Sequence, residues 1–313
     1  MIKKKRLLVT GAAGFIGSNF VNKYHDKYEI YMLDSLSYAG KLENIDWSSL
    51  SHDNFYKMNI LWAGDLVKVF SDIQPEVVVN FAAQSHVDNS IEAPLTFTPT
   101  NVLGVHYLLD MALKFNVEKY VQISTDEVYG HLGASDPSFT ESTPLSPRSP
   151  YSATKASADL LVKAYHDTYG LNTCTTRCSN NFGPNQHEEK LIPKIIKNAI
   201  QNKPIPIYGN GKNVRDWIYV EDHVDGISAV IENGKSGEIY NFGASTEMEN
   251  LDICRLILKI LDKPESLIEF VEDRKGHDFR YSINSSKAKN YLGWNPKWDF
   301  YEALVKTIDF YKK

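Results

Sequence analysis

Tyr151 and Lys155 stand four residues apart at the start of a segment with helical spacing, which places a phenol and an ammonium on one face, one turn apart. A phenol titrates at about 10 in water. A nearby ammonium would lower that value and let Tyr151 act as a base on a hydroxyl. Tyr-x-x-x-Lys alone is common on solvated helix faces, so its meaning depends on its companions. One companion is Ser124-Thr125-Asp126-Glu127-Val128-Tyr129-Gly130, directly after the apolar run Tyr120 to Ile123. Thr125 supplies a hydroxyl for the same substrate oxygen. Asp126 and Glu127 are adjacent carboxylates, which can divide acid and base roles if their environments separate their pKa values. Without the other motifs the same pair would read as a turn with solvated acids.

The second companion lies near the start: Thr10-Gly11-Ala12-Ala13-Gly14-Phe15-Ile16-Gly17, between an apolar run and a helical pattern. Gly11 permits a sharp turn, Gly14 lets a pyrophosphate approach backbone N–H groups, and Gly17 allows tight helix–strand packing. Asp34 follows at the end of the next apolar run. There a carboxylate can bond the ribose hydroxyls of an adenosine and repel a 2′-phosphate, which favours NAD over NADP. A turn or capping residue is the plain alternative for Asp34.

Elements must position these groups. Strands are expected at Arg6 to Thr10, Glu29 to Leu33, Val77 to Phe81, Tyr120 to Ile123 and Thr173 to Arg177. Helices are expected at Ile16 to Tyr24, Val102 to Phe115 and Ser152 to Tyr169. Alternating strands and helices imply an α/β fold with a doubly wound parallel sheet, the Rossmann type. After about Ser179, prolines and glycines become frequent, and Leu251 to Leu261 is the clearest helix. This divides the chain into an NAD-binding domain, residues 1–180, and a smaller mixed α/β substrate-binding region, residues 181–313, with the chain free to cross between the lobes.

The net charge of −5 and pI of about 6.0 argue against a nucleic-acid surface. Three cysteines form no disulfide framework and fit a reducing compartment. The basic start is followed by only a short apolar run, and no apolar stretch approaches membrane-spanning length, so a cytoplasmic enzyme without a membrane partner is expected. No metal site is expected.

The glycine loop, Thr125 and the Tyr151/Lys155 pair together resemble the extended short-chain dehydrogenase/reductase superfamily. Within it, the sequence resembles the dTDP-glucose 4,6-dehydratase family over nearly its whole length. The likeness is carried by Ala82-Ala83-Gln84-Ser85-His86-Val87-Asp88, by Ser124 to Gly130, by Ser149-Pro150-Tyr151-Ser152 and by Arg177 to Pro184. Further matches are Glu189-Lys190-Leu191-Ile192-Pro193, Asn213-Val214-Arg215-Asp216-Trp217, Asp273 to Tyr281 and Leu292-Gly293-Trp294.

The resemblance implies a redox-neutral dehydration of a nucleotide-diphosphate hexose, dTDP- or UDP-glucose, to a 4-keto-6-deoxy sugar. Tyr151 would take the 4-hydroxyl proton, Glu127 the C5 proton, and Asp126 would protonate the departing C6 hydroxyl. It also implies an NAD site lined by Phe15, Ile16, Asn59 and Ile60, by Phe81, Ala82, Ala83 and Ser85, and by Thr100, Ser124 and Asn180, with Tyr151 and Lys155 against the cofactor as well and Lys155 able to hold the nicotinamide ribose. The nucleotide sugar would meet Ser85, His86, Thr125 and Asn181, then Glu189, Lys190 and Leu191, then Pro206, Tyr208, Arg215, Asn250, Arg274 and His277. For Arg215 the plain alternative is an ion pair with Asp216 or Glu221; for His277 it is an ordinary loop histidine. A homodimer formed by the helices Val102 to Phe115 and Ser152 to Tyr169 is implied as well.

Five positions depart from the family pattern. Asn59 stands for Asp, Gln84 for Glu, Asn89 for Arg, and His187-Glu188 for a Tyr-Pro-like pair. Gln84 and Asn89 flank His86, in a segment expected to face the hexose, and their change admits a bulkier C2 substituent. UDP-N-acetylglucosamine is therefore the alternative substrate, and inversion at C5 the alternative outcome. A 4-epimerase needs no acid to expel water, and a non-catalytic NAD-sensing scaffold needs none of the five catalytic candidates.

Overall fold

The computed structural model describes residues 3–273 and 276–312. The chain runs β1 (Arg6–Thr10), α1 (Phe15–Tyr24), β2 (Glu29–Asp34), β3 (Phe55–Lys57), α2 (Ala63–Ile73), β4 (Val77–Asn80) and α3 (Val87–Glu92). It continues with α4 (Val105–Lys114), β5 (Lys119–Thr125), α5 (Pro150–Tyr169), β6 (Thr173–Cys178), β7 (Asn180–Phe182), α6 (Leu191–Ile200), β8 (Ile205–Tyr208) and β9 (Val214–Tyr219). Last come α7 (Val220–Asn233), β10 (Ile239–Phe242), β11 (Glu247–Glu249), α8 (Asn250–Ile260), β12 (Ile268–Val271), α9 (Ser286–Leu292) and α10 (Phe300–Tyr311).

Seven parallel strands form the main sheet in the order β10-β6-β5-β4-β1-β2-β3. Strands covered by helices on both faces read as continuous apolar runs, and Leu7, Leu8 and Val9 are indeed wholly buried. One core packs Phe20 and Val21 of α1 with Ile227 and Val230 of α7; the other packs Leu66 and Phe70 of α2 with Leu108 of α4 and Val162 of α5. The strand order reverses beside β1, between β4 and β2, and ligands bind at such a switch point beyond the strands' carboxyl ends.

Buried polar side chains cross the sheet below that point. Thr10 Oγ1 donates to Asn80 Oδ1 (2.5 Å), Asn80 Nδ2 to Gln122 Oε1 (2.9 Å), and the Tyr120 hydroxyl to the same oxygen (2.9 Å). Each desolvated donor thus has an acceptor.

β10 and α7 return to the main sheet from beyond residue 181, so the later part of the chain supplies its seventh strand. The remaining strands form a three-stranded sheet, β11-β9-β7, and a two-stranded pair, β12-β8.

Two expected elements change. The strand expected over Tyr120 to Ile123 runs on through Thr125, so Ser124 and Thr125 belong to it. The helix expected from Val102 begins instead with a π-helical turn, Pro99–Gly104, ahead of α4. The widened turn places Asn101 where its side chain accepts from Gln84 N (2.8 Å) and donates to Gln84 O (2.9 Å) and Thr154 Oγ1 (3.0 Å).

Candidate active site

The first cleft opens at the switch point. Gly11 sits at φ +68°, donates to Leu33 O (2.8 Å), and a Cβ there would lie 2.6 Å from Ala82 N. A Cβ on Gly17 would lie 2.2 Å from Gly11 O, so the helix–strand contact demands glycine. Gly14 caps α1 without a side-chain acceptor. The first N–H groups of a helix lack intrahelical partners, and here they face the cleft as donors for an anion. Phe15 and Ile16 line the same wall.

Asp34, nearly buried, accepts from Ala13 N (2.9 Å) and Leu36 N (2.8 Å). Burial pushes its pKa up, and the backbone N–H groups pull it back. Asn59 and Ile60 follow along the cleft, and the Asn59 side chain holds Leu61 N at 3.0 Å. Phe81, Ala82, Ala83 and Ser85, then Thr100, Ser124 and Asn180, complete the set named from sequence. Tyr38, His187, Cys178 and Gln186 also line it. They sit in irregular segments or on an ordinary strand, where spacing carries no signal.

Helix α5 brings Tyr151 and Lys155 to this cleft. Ser149 accepts from Ser152 N (3.1 Å), Ser152 Oγ accepts from Ser149 N (3.0 Å), and Pro150 occupies the first turn, so the start of α5 is fixed by reciprocal caps. The Lys155 ammonium donates to Ile123 O at 2.6 Å. The expected lowering of the Tyr151 pKa is not what the protein alone provides. Burial raises it well above the ordinary value, and Glu127 raises it further. The causes are burial first and then the charge of Glu127, with the Thr125 hydroxyl opposing them.

Thr125 Oγ1 caps the turn that follows β5, accepting from Glu127 N (3.3 Å), and donates to Asp126 Oδ1 (3.3 Å). Asp126 is buried, and its Oδ2 has no partner among the described residues. Burial first, then Glu127 and Asp216, raise its pKa well above the carboxylate range. A solvated turn does not describe this residue: Asp126 is buried, and its surroundings favour the protonated form. Glu127 lines both the first cleft and a second one.

The second cleft is lined by His86, Glu189, Lys190 and Leu191, by Pro206 and Tyr208, and by Arg215, Asn250 and His277. Lys190 Nζ donates to Ser85 O (2.8 Å), and His86 Nε2 lies 3.6 Å from Glu189 Oε2. Arg215 makes no ion pair with Asp216 or Glu221. It lies 4.5 Å over the Tyr281 ring and donates to the carbonyls of Val214 (2.8 Å), Asp278 (2.9 Å) and Phe279 (3.3 Å). His277 is tied to Asp273 Oδ1 (2.6 Å). Asn250 Oδ1 and Trp217 Nε1 are buried without partners among the described residues, an acceptor and a donor suited to a polar ligand.

Ser85, expected at both ligands, and Thr125 and Asn181, expected at the sugar nucleotide, line the first cleft, and Arg274 lies outside the described residues. Successive strand residues face opposite ways. In β7, Asn181 Oδ1 therefore meets the buried His223 Nδ1 (2.9 Å), while Asn180 lines both clefts. Gln84 likewise lines the first cleft and Asn89 the second, so only one of the two departures flanking His86 faces the second cleft. Arg148, Lys194, Asp278 and Tyr281 were not singled out from sequence and also line the second cleft. Arg148 directly precedes the Ser149-Pro150-Tyr151 run and was within reach of that reading. Among the described residues no cluster of groups suits a metal ion, and no helix is long and apolar enough to cross a membrane.

Comparison with known proteins places this geometry in context. A family model described as GDP-mannose 4,6 dehydratase matches residues 8–307. The low-salt glycan biosynthesis protein Agl12 of Haloferax volcanii is 48% identical, over 97% of this chain and 98% of its own. The dTDP-glucose 4,6-dehydratase of Xanthomonas campestris is 44% identical, over 97% of this chain and 92% of its own. The crystal structure of DesIV, a dTDP-glucose 4,6-dehydratase from Streptomyces venezuelae with NAD and TYD bound, superimposes with a TM-score of 0.93 at 44% identity, covering 98% of this chain and 97% of that one. A UDP-glucose 4-epimerase from Thermotoga maritima with UDP-glucose has a TM-score of 0.92 at 30% identity, over 98% of both chains.

Proposed function

The chain belongs to the GDP-mannose 4,6-dehydratase family, and from that premise we propose that it is an NAD-dependent lyase. It removes water across C5 and C6 of a nucleotide-diphosphate hexose, dTDP- or UDP-glucose, and leaves the 4-keto-6-deoxy sugar. The observation that carries this reading is the placing of the two carboxylates. Glu127 stands on the wall common to both clefts, and beside it Asp126 is buried with one oxygen unpartnered among the described residues. An epimerase shares the fold but has no leaving water to protonate.

The first cleft fits NAD. Glycine is required at Gly11 and Gly17, uncapped N–H groups open α1, and the Asp34 carboxylate sits where a ribose needs an acceptor. When bound, NAD takes a hydride from sugar C4 and returns one to C6. Tyr151 takes the 4-hydroxyl proton, the positive nicotinamide and the Lys155 ammonium offsetting the burial that raises its pKa, and Thr125 holds the same oxygen. Glu127 removes the C5 proton made acidic by the 4-ketone. Asp126 gives its proton to the C6 hydroxyl as the C–O bond breaks, and water leaves. Glu127 then returns a proton to C5.

The family resemblance supports a homodimer through α4 and α5, and Leu103, Leu160 and Tyr169 are exposed on or beside these helices. Three buried cysteines with free thiols suit a reducing cytoplasm. The deciding experiment incubates the purified protein with dTDP-glucose, UDP-glucose and UDP-N-acetylglucosamine and reads product structure, including C5 stereochemistry, by NMR. A 4-keto-6-deoxy product from a glucose nucleotide is expected. No product from any of the three overturns the dehydratase reading, and turnover of UDP-N-acetylglucosamine alone replaces the sugar.

A further inference from the structure

Arg148 belongs to the second cleft and has no part in the chemistry above. Its Nη1 donates to Asp278 Oδ1 (2.8 Å) and meets His131 Nδ1. A guanidinium carries five donors, and Nε and Nη2 of Arg148 make no hydrogen bond among the described residues. Asp278 joins this arginine to another. Its second carboxylate oxygen accepts from the Tyr281 hydroxyl, the Tyr281 ring lies 4.5 Å beneath the Arg215 guanidinium, and the Asp278 carbonyl accepts from Arg215 Nη2 (2.9 Å). Two guanidiniums on the lining of one cleft are thus tied to a single residue.

Stability does not account for the arrangement at Arg148. Its side chain is 41% exposed, and ion pairs this open contribute little. Arg215 donates to three carbonyls through Nη1 and Nη2, which leaves Nε and one Nη2 N–H for a ligand and gives a second guanidinium on the same wall work to do. A planar fork with unused N–H groups suits phosphate oxygens, which accept in pairs.

We propose that Arg148 is a further substrate-binding arginine, which with Arg215 grips the diphosphate of the nucleotide sugar. Asp278 sets the rotamer of Arg148 and Tyr281 supports Arg215, so the two cations are fixed before the ligand arrives. The proposal rests on the reading of the second cleft as a nucleotide-diphosphate site.

The test is calorimetric binding of UMP, UDP, dTMP and dTDP to the wild type and to Arg148→Gln and Arg148→Lys, with a melting curve for each protein. Wild type is expected to prefer each diphosphate over its monophosphate. Arg148→Gln should cut that preference roughly tenfold or more, the worth of charge-assisted hydrogen bonds, with monophosphate affinity unchanged. Arg148→Lys, which keeps the charge and loses the fork, should fall between. An unchanged preference in both variants overturns the role of Arg148 and leaves the nucleotide site standing. Equal loss for mono- and diphosphates makes Arg148 structural and overturns it too. A wild type that does not favour diphosphates overturns the reading of the cleft itself.

Discussion

The ammonium of Lys155 donates to the backbone carbonyl of Ile123 at 2.6 Å, which ties α5 to the strand that ends in Thr125. Both residues of the Tyr151/Lys155 pair are buried, so the tie fixes the phenol's distance from the carboxylate turn. Burial lowers the Lys155 pKa, and Asp159 one turn on opposes that. Lys155→Met should reduce kcat by roughly a hundredfold or more, the scale of a lost acid–base group, and weaken NAD binding measured by equilibrium dialysis. Turnover within threefold of wild type would remove Lys155 from the machinery.

Glu127→Gln keeps the shape of the turn and removes the base. Elimination should fall by roughly 10²–10⁴ while oxidation at C4 partly survives, so reduced cofactor accumulates and is visible by its near-ultraviolet absorbance. Loss of deuterium exchange at C5 is the second readout. Elimination at the original rate assigns the base elsewhere.

Asp126 gives a stability signature. Its folded pKa stands well above the ordinary 3.8, so the native state binds more protons than the unfolded chain at any pH between those values. Stability falls with pH where the native state holds the extra proton. Asp126→Asn, neutral throughout, should therefore melt higher than wild type near neutral pH, and the gap should close as pH is lowered through 3.8. The same variant should be inactive in elimination. A gap that is constant with pH would show that Asp126 is not held protonated.

Behind the site, Arg177 Nε donates to Asp159 Oδ2 at 2.9 Å, with both side chains buried and the guanidinium 4.7 Å over the Tyr129 ring. Burial pushes Asp159 up while Arg177 and Lys155 pull it back. Removing one partner strands a buried charge, so Asp159→Ala should cost about 3–5 kcal/mol in denaturant unfolding. Asp159→Leu with Arg177→Met should recover much of that loss. An effect below about 1 kcal/mol for the single variant places water or a substitute partner there.

Leu160 is 59% exposed on α5 and Leu103 42% exposed in the turn before α4. If these helices form the dimer, Leu160→Arg should halve the mass measured by light scattering while the melting curve of the protomer keeps its shape. A monomeric wild type, or a dimeric variant, would put the interface elsewhere.

The sequence by itself determined whatever depends on neighbours along the chain. The glycine loop, the capped start of α5 and the Tyr151/Lys155 spacing are local patterns, set by backbone conformation and the 3.6-residue turn. That the residues of the first cleft lie together was legible for the same reason, because many follow the ends of strands whose apolar runs are plain. Tertiary structure decided the surroundings of the two acids. Asp126 lies buried with the charges of Asp216 and Arg215, from β9, acting on it, and Glu127 lines both clefts. It also turned Asn181 toward His223, left Asn180 on the common wall and carried Asp278 to Arg148 across the sequence. No spacing rule encodes these contacts. They follow from how a second lobe packs against a sheet edge, where desolvation and long-range pairing set each side chain's chemistry.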